Sequence, residues 1–501
     1  MPDSRTPPHI QAFHQPETYP HPANRIEMIQ THASWVFLSG DFAYKFKKPV
    51  DFGFMDFSTL AKRKYYCEQE LQLNQRLTPV LYLDVLPVYR HGDHYNFKAS
   101  SEIVDYCLKM KRFNQADLLD QKLRRHALDP QWMDQLAEYV AAFHKRTEIN
   151  TDPDFGHDAR LASHMQDNLA IAAKYDGLAV DAANLQTLTA FMHRELGAKL
   201  PALKQRQAEH HIRHCHGDLH FRNITLLDGN PVLFDCIEFN DAYRIIDTMN
   251  DIAFLVMDCD AHASPDLGMR FLSRYLEYSG DYAGLMLLPL YLFYRAGVRG
   301  KVACILADEL TAEQQQPQWH EARKYFTLAA TYAKPARPAL FVIGGLSGSG
   351  KSHLALLGCG PQRAIIIRSD ATRQRIAPDY PDLERYGRDM HIHTYNAMFD
   401  AARTALRAGF SVILDATFLH PDSRKQVITL AEACNVALHF YWLDIDPETL
   451  EHNIRQRQQH GQDISDADLD VLALQLAEYQ RPQEACIHFL TSSDTFPITD
   501  S

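Results

Sequence analysis

The stretch from Ala339 to Ser352 leaves this chain the fewest choices. An unbroken apolar run, Ala-Leu-Phe-Val-Ile at 339–343, passes directly into Gly344-Gly345-Leu346-Ser347-Gly348-Ser349-Gly350-Lys351-Ser352. A strand with no polar face is buried on both sides, as in a parallel sheet covered by helices. Gly345 to Ser352 satisfies the Gly-x-x-x-x-Gly-Lys-Ser spacing of a phosphate-binding loop, in the strand-to-helix setting that the spacing requires. Backbone N–H groups of Gly345, Ser347, Gly348, Ser349 and Gly350 are expected to face an anion at the helix N-terminus, Lys351 to reach the outer phosphates of ATP, and Ser352 to hold Mg2+.

Two further apolar runs follow, and each ends in an acid. The run at 364–367 leads into Arg368-Ser369-Asp370-Ala371-Thr372-Arg373, and the run at 410–414 ends at Asp415. Carboxyl ends of parallel strands are where open α/β sheets bind ligands. Asp370 equally fits a helix N-terminus as a cap. This pattern resembles the P-loop kinases of small molecules and of polynucleotide 5′-hydroxyls, including the zeta-toxin-like group. The resemblance implies Asp370 as the base that activates an acceptor hydroxyl, Arg373 as an acceptor contact and Asp415 as a Mg2+ partner. A strand at 438–443 and a helix from 447 come next. That helix carries Arg455 and Arg457 and leads into a polar segment, 458–463. Two arginines before a flexible stretch suit a lid over the phosphates, with Arg455 as the cofactor contact, or a solvated helix face. A helix over 464–480 and a strand over 487–490 complete the parallel-sheet α/β domain.

A second constellation lies upstream. His216-Gly217-Asp218-Leu219-His220-Phe221-Arg222-Asn223 is followed by the short apolar strand 231–234 and then Asp235. Phosphoryl transfer asks a protein for one carboxylate to receive the hydroxyl proton, and for an amide and a second carboxylate to hold Mg2+ on the phosphates. Asp218, Asn223 and Asp235 fall at the spacing that serves these roles. The loop resembles the His-Gly-Asp-x-His-x-x-Asn signature of the aminoglycoside phosphotransferase-like kinases. That resemblance implies a bilobal protein-kinase-like fold acting on small alcohols, with Asp218 as base and Asn223 and Asp235 as metal ligands.

The segment before it fits an N-lobe. The pattern 35–38, a turn at 39–41 and 42–47 predicts a hairpin with Phe42, Tyr44 and Phe46 on one face and Ala43, Lys45 and Lys47 on the other. Lys45 is the expected phosphate-reaching lysine, with Lys47 second. A helix over 58–77 offers Glu70, or Glu68, as the lysine's partner. No Gly-x-Gly-x-x-Gly precedes the hairpin, where Thr31-His32-Ala33-Ser34 stands instead. Strands over 83–89 and 103–110 follow, and the resemblance makes 110–112 the hinge whose backbone meets adenine. From 114 the chain reads as mainly helical, and Asp251 as a structural acid. The histidines from His210 to His220 are explained by packing and loop hydrogen bonds more simply than by a metal.

These readings divide the chain into a loosely ordered lead-in at 1–23, a first kinase-like domain at 24–332 (N-lobe 24–112, C-lobe 113–332), a proline-marked linker at 333–338 and a P-loop domain at 339–495. A length of 501 residues requires more than one core. The net charge of −12 argues against a nucleic-acid partner; it is compatible with a cationic small substrate but is explained more simply by solubility, and the expected partners, small-molecule hydroxyl substrates, rest on the motifs. Nine scattered cysteines without a Cys-x-x-Cys fit free thiols in a reducing cytoplasm. The apolar run 285–294 is too short to span a membrane and reads as a buried helix. The chain is expected to be a bifunctional ATP- and Mg2+-dependent phosphotransferase. Two other classes stay open: a regulatory ATPase whose first domain only binds a ligand, and a P-loop half that phosphorylates nucleic-acid 5′-hydroxyls.

Overall fold

The computed structural model describes residues 6–335, 337–460, 468–491 and 494–497. Its contacts gather into two compact units. One comprises residues 1–132, 147–155 and 212–246, and the other residues 133–146, 156–211 and 247–501.

The first unit is built on a six-stranded sheet: β1 (Ile26–Gln30), β2 (Ser34–Ser39), β3 (Phe42–Lys47), β4 (Tyr82–His91), β5 (His94–Asn96) and β6 (Ile103–Lys111), in the order β1-β2-β3-β6-β4-β5. All its pairings are antiparallel, and Val36 lies opposite Lys45 in the β2–β3 hairpin. The hairpin's aromatic face packs as its alternation predicts, with Tyr44 and Phe46 fully buried. Much of their cover comes from the N-terminal segment. Residues expected to be a loose lead-in instead form a short helix (Pro8–Ala12) and a 3-10 turn (Pro16–Thr18). Ile10 and Phe13 are wholly buried, and the Phe13 ring lies 4.7 Å from that of Phe46. The proline and histidine content masks the three apolar anchors Ile10, Phe13 and Tyr19, each of whose burial contributes roughly 1.5–3 kcal/mol.

Helix α1 (Leu60–Gln75) starts at Thr59, whose hydroxyl accepts the Lys62 N–H, and crosses the other face of the sheet. The predicted hinge is a continuation of β6: the N–H groups of Lys111 and Arg112 donate to Leu81 O and Asp41 O, both at 2.8 Å. A small hairpin, β7 (Ile224–Leu227) and β8 (Asn230–Leu233), brackets the Asp228-Gly229 turn.

The second unit combines helices with a parallel sheet. Helix α2 (Gln131–Arg146), α3 (Thr248–Ala261), α4 (Pro265–Ser279), α5 (Leu288–Asp308) and α6 (Ala312–Tyr332) form its helical part. Helix α3 is buried from Thr248 to Cys259, which accounts for its lack of a polar stripe. The apolar run at 285–294 lies in a 3-10 turn and the start of α5 and is mostly buried, with Met286 exposed. Among the described residues no helix is long and apolar enough to cross a membrane. Asp251 accepts from His144 Nε2 at 3.0 Å, a structural role.

The parallel sheet holds β9 (Ala339–Gly345), β10 (Ala364–Arg368), β11 (Ser411–Asp415), β12 (Ala437–Leu443) and β13 (Ile487–Leu490), in the order β10-β11-β9-β12-β13. Every pairing is parallel, and the central strand β9 is buried from Leu340 to Gly345. Helix α7 (Lys351–Cys359) follows the glycine-rich loop and α8 (Ser369–Ile376) follows β10. Helices α9 (Pro447–His460) and α10 (Leu469–Glu478) complete this part. The predicted polar segment 458–463 runs from the end of α9 into residues outside those described, and so does the start of the helix expected over 464–480.

Candidate active sites

In the first unit, the loop at 216–223 is fixed by its own side chains. Gly217 has φ +87°, and a Cβ there would meet Tyr243 O at 2.7 Å, so only glycine fits. His216 donates from Nε2 to Phe234 O at 2.9 Å while its Nδ1 accepts the Asp218 N–H at 3.2 Å. His220 accepts the Arg222 N–H at Nδ1, and its Nε2 lies 3.2 Å from Asp218 Oδ2. His216 thus fixes the backbone of Asp218 and His220 its carboxylate, which also accepts from Asn223 Nδ2 at 2.8 Å. Phe234 N–H donates to Asn223 O at 3.1 Å, which ties the end of β8 to the loop.

Asp235 then adopts φ +61°, a costly conformation for a residue with a Cβ. Neighbouring bonds hold it there: its N–H donates to the Tyr82 hydroxyl at 2.8 Å, and the Cys236 N–H donates to Asn74 Oδ1 at 2.9 Å. Asp235 is thereby aimed at Lys45, which donates to Asp235 Oδ1 at 2.6 Å and to Glu70 Oε1 at 2.7 Å. Glu70 is the lysine's helix partner, while Glu68 faces outward near Lys64. Burial disfavours charge on Lys45, but Asp235 and Glu70 more than offset it and hold the ammonium well above its usual range.

Lys47 stands behind Lys45 with a different part. It is wholly buried and donates to Glu70 Oε2 at 2.6 Å and to Glu238 Oε1. Burial raises the Glu70 carboxyl, yet Lys45 and Lys47 outweigh it and bring it down to about 2. Glu238, unnamed by the sequence pattern, completes this buried cluster. Nothing in the motif spacing singles it out, because its role depends on Lys47 in β3.

In the second unit, the glycine-rich loop opens onto a cleft of about 750 Å3. Ser347, Gly348, Gly350, Lys351, Ser352, Asp370, Arg373 and Asp415 all line it. Gly345 and Ser349 do not. The Gly345 N–H donates to Thr417 O at 3.2 Å and the Ser349 N–H to Leu346 O at 3.3 Å, bonds that shape the loop. Gly348 has φ +83°, and a Cβ on it would lie 2.6 Å from Leu450 O. Lys351 Nζ folds over the loop onto Leu346 O at 2.8 Å.

Ser352 donates from its hydroxyl to Asp415 Oδ2 at 2.6 Å. Asp370 accepts from Arg373 at 2.8 Å, and the Arg373 guanidinium lies 4.9 Å from the centre of the Tyr386 ring. His391 lines the same cleft, and burial, helped by His420 and Arg373, brings its imidazole down to about 4, so it is neutral at ordinary pH.

Arg455, expected at the phosphates, is exposed and pairs with Glu451 at 3.1 Å along its own helix, whereas Arg457 lines the cleft. Two residues, at 100° per position, turn the helix by more than half a circle. Sequence reasoning also missed two clamps on the loop. Gln475 in α10 accepts the Ser347 N–H at 2.9 Å and donates to the Ser347 hydroxyl at 3.0 Å, and Asn453 in α9 donates to Gly348 O at 2.8 Å.

The donor sets suit a nucleotide with a hard cation. Ser352 with Asp415, and Asn223 with Asp235, offer oxygen atoms only, the preference of Mg2+. The glycine at 348 lets the loop pack closely against Leu450 O. Asp218 and Asp370 stand where each could take a proton from an acceptor hydroxyl.

The family described as a phosphotransferase enzyme family matches residues 70–288, and an AAA domain matches residues 340–482. The chain is 31% identical over 422 residues to an uncharacterized protein of Mycobacterium tuberculosis, covering 82% of each chain, and equally so to one of Mycobacterium bovis. Among solved structures, a choline kinase from Cryptosporidium parvum is similar at 12% identity over 62% of this chain and 88% of that one, with a TM-score of 0.38. A gluconokinase from Sinorhizobium meliloti is similar at 20% identity over 32% and 86%, with a TM-score of 0.25.

Proposed function

We propose, for a chain that belongs to the phosphotransferase enzyme family, carries an AAA domain behind it and is an ATP-dependent kinase, that it transfers the γ-phosphate to small-molecule hydroxyls at two separate sites. The first site belongs to a kinase spanning residues 24–332 and the second to one spanning 339–495. The observation that carries the reading is that each half keeps a full set of groups. In one, Asp218 pairs with Asn223 and Asp235 pairs with Lys45. Lys351, Ser352, Asp370 and Asp415 stand together in the other.

In the first site, Asp218 receives the proton of the acceptor hydroxyl, held in place by His220 and Asn223. Lys45, fixed by Glu70, directs its charge at the phosphates, and Asn223 and Asp235 hold Mg2+. In the second, Asp370 takes the proton and Arg373, braced on Tyr386, orients the acceptor. Lys351 lifts from Leu346 O to meet the outer phosphates, and Ser352 and Asp415 hold the cation. Mg2+, when bound, neutralises the phosphate oxygens. The neutral His391 offers an acceptor a hydrogen bond without a charge, which suits a polyhydroxylated substrate.

The test is to incubate the protein with γ-labelled ATP and a pooled extract of small metabolites. Label in organic phosphate esters is the expected result. Label released only as inorganic phosphate, whatever the pool, would replace this reading with the regulatory ATPase.

A further inference from the structure

The strand that delivers Asp370 is held by residues from outside the P-loop half. Strand β10 is an edge of the parallel sheet, and edges need cover. Three contacts from the preceding helices run along its length. Asp260 at the end of α3 accepts both guanidinium nitrogens of Arg363, at 2.8 and 2.9 Å. Ser273 in α4 accepts the Ile366 N–H at 3.0 Å. Glu277 in α4 accepts from Arg368 in a two-pronged pair, at 2.6 and 2.7 Å. Both α3 and α4 lie within the stretch matched by the phosphotransferase family.

The last contact reaches the chemistry. Arg368 ends β10, two residues before Asp370, and lines the nucleotide cleft. It is also the register partner of Asp415 on the adjacent strand β11. An arginine so placed would be drawn to Asp415, the carboxylate that Ser352 touches. Glu277 takes its guanidinium instead, in the two-pronged pair. Glu277 is itself buried and fixed by Arg274 at 2.8 Å, which in turn lies 3.3 Å from Asp134. A cavity of about 20 Å3 is lined by Glu277, Arg274 and Arg368 together with Ser352 of the P-loop site.

We propose that Glu277, on a helix of the phosphotransferase half, is a positioning residue for the P-loop site: by holding Arg368 it keeps Asp415 available to the cation. This rests on the reading of Ser352 and Asp415 as cation holders. Without Glu277 the Arg368 charge is released beside Asp415 and competes with the metal. The P-loop site is then complete only with a residue contributed by the other half.

The test uses the full chain with Asp235→Asn, which disables the cation site of the first half, and Mn2+ with ADP as probe, followed by loss of the free-ion paramagnetic signal. Glu277→Ala is expected to weaken Mn2+ binding by about ten- to a hundredfold, the usual scale for a residue that orients a metal ligand. Adding Arg368→Ala should restore affinity to near that of the parent, since the competitor is gone and no unpaired charge is left buried. Glu277→Ala binding as tightly as the parent, or a double variant as weak as the single, would overturn the proposal. Ser352→Ala in the same background separates the two levels. If it leaves Mn2+ binding unchanged, the assignment of the cation site fails, whatever Glu277 does.

Discussion

Two lysines two positions apart on one strand have different tasks. Lys45 touches Asp235 and Glu70 at the rim of the site, while Lys47 neutralises Glu70 and Glu238 in its interior. Lys45→Met should therefore lower Asp218-dependent phosphate transfer by about a hundredfold, the cost of one preorganised charge at a transition state, with a small change in the urea midpoint. Lys47→Met leaves two buried carboxylates facing each other and should cost about 3–5 kcal/mol of stability, measured on the same denaturation curves. Glu70 carries a pH consequence. Its folded carboxyl is brought down to about 2 from an ordinary 4.5, so its ionised form contributes stability that is fully present above 4.5 and is lost as pH falls toward 2. The difference in urea midpoint between wild type and Glu70→Gln should stay constant from pH 8 to pH 5. A difference that shrinks over that interval would place the carboxyl higher than the lysines allow.

At the scale of elements, the glycine-rich loop depends on helices far along the chain. Asn453 holds the Gly348 carbonyl and Gln475 holds Ser347 from both sides. Asn453→Ala removes one hydrogen bond from a loop that must keep φ +83° at Gly348, and ADP affinity in equilibrium dialysis should fall about fivefold, the worth of one such bond. The sequence makes the elements themselves legible where a period and a boundary coincide. Examples are the β2–β3 hairpin, the apolar run of β9 and the acids at the ends of β8, β10 and β11. It hides what depends on tertiary partners. Ile10, Phe13 and Tyr19 sit among prolines and histidines, and only the sheet they cover reveals them as core. Arg455 and Arg457 are equivalent in composition, and helix phase alone decides which meets the cleft. Gly345 and Ser349 match the phosphate-loop spacing, but the bonds of their amides to Thr417 and Leu346 do not show in it.

At the scale of the whole molecule, the motif residues Asp218, Asn223, Asp235, Lys351 and Ser352 could be named from spacing, because local chain geometry sets their separations, and Asp370 and Asp415 from their places at strand ends and a family resemblance. Glu238, Gln475 and Glu277 could not, because each acts through a partner on another element. Glu277 and Arg368, 91 residues apart, illustrate why fusion matters here: the edge strand of the P-loop sheet is finished by helices of the phosphotransferase half. The central claim is that one chain carries two independent phosphoryl-transfer sites. It is tested most directly by supplying γ-labelled ATP and a metabolite pool to wild type, Asp218→Ala and Asp370→Ala, and separating the labelled esters. The account predicts that each variant loses a different product and keeps the other. Loss of the same product in both variants, or of none in either, would contradict it.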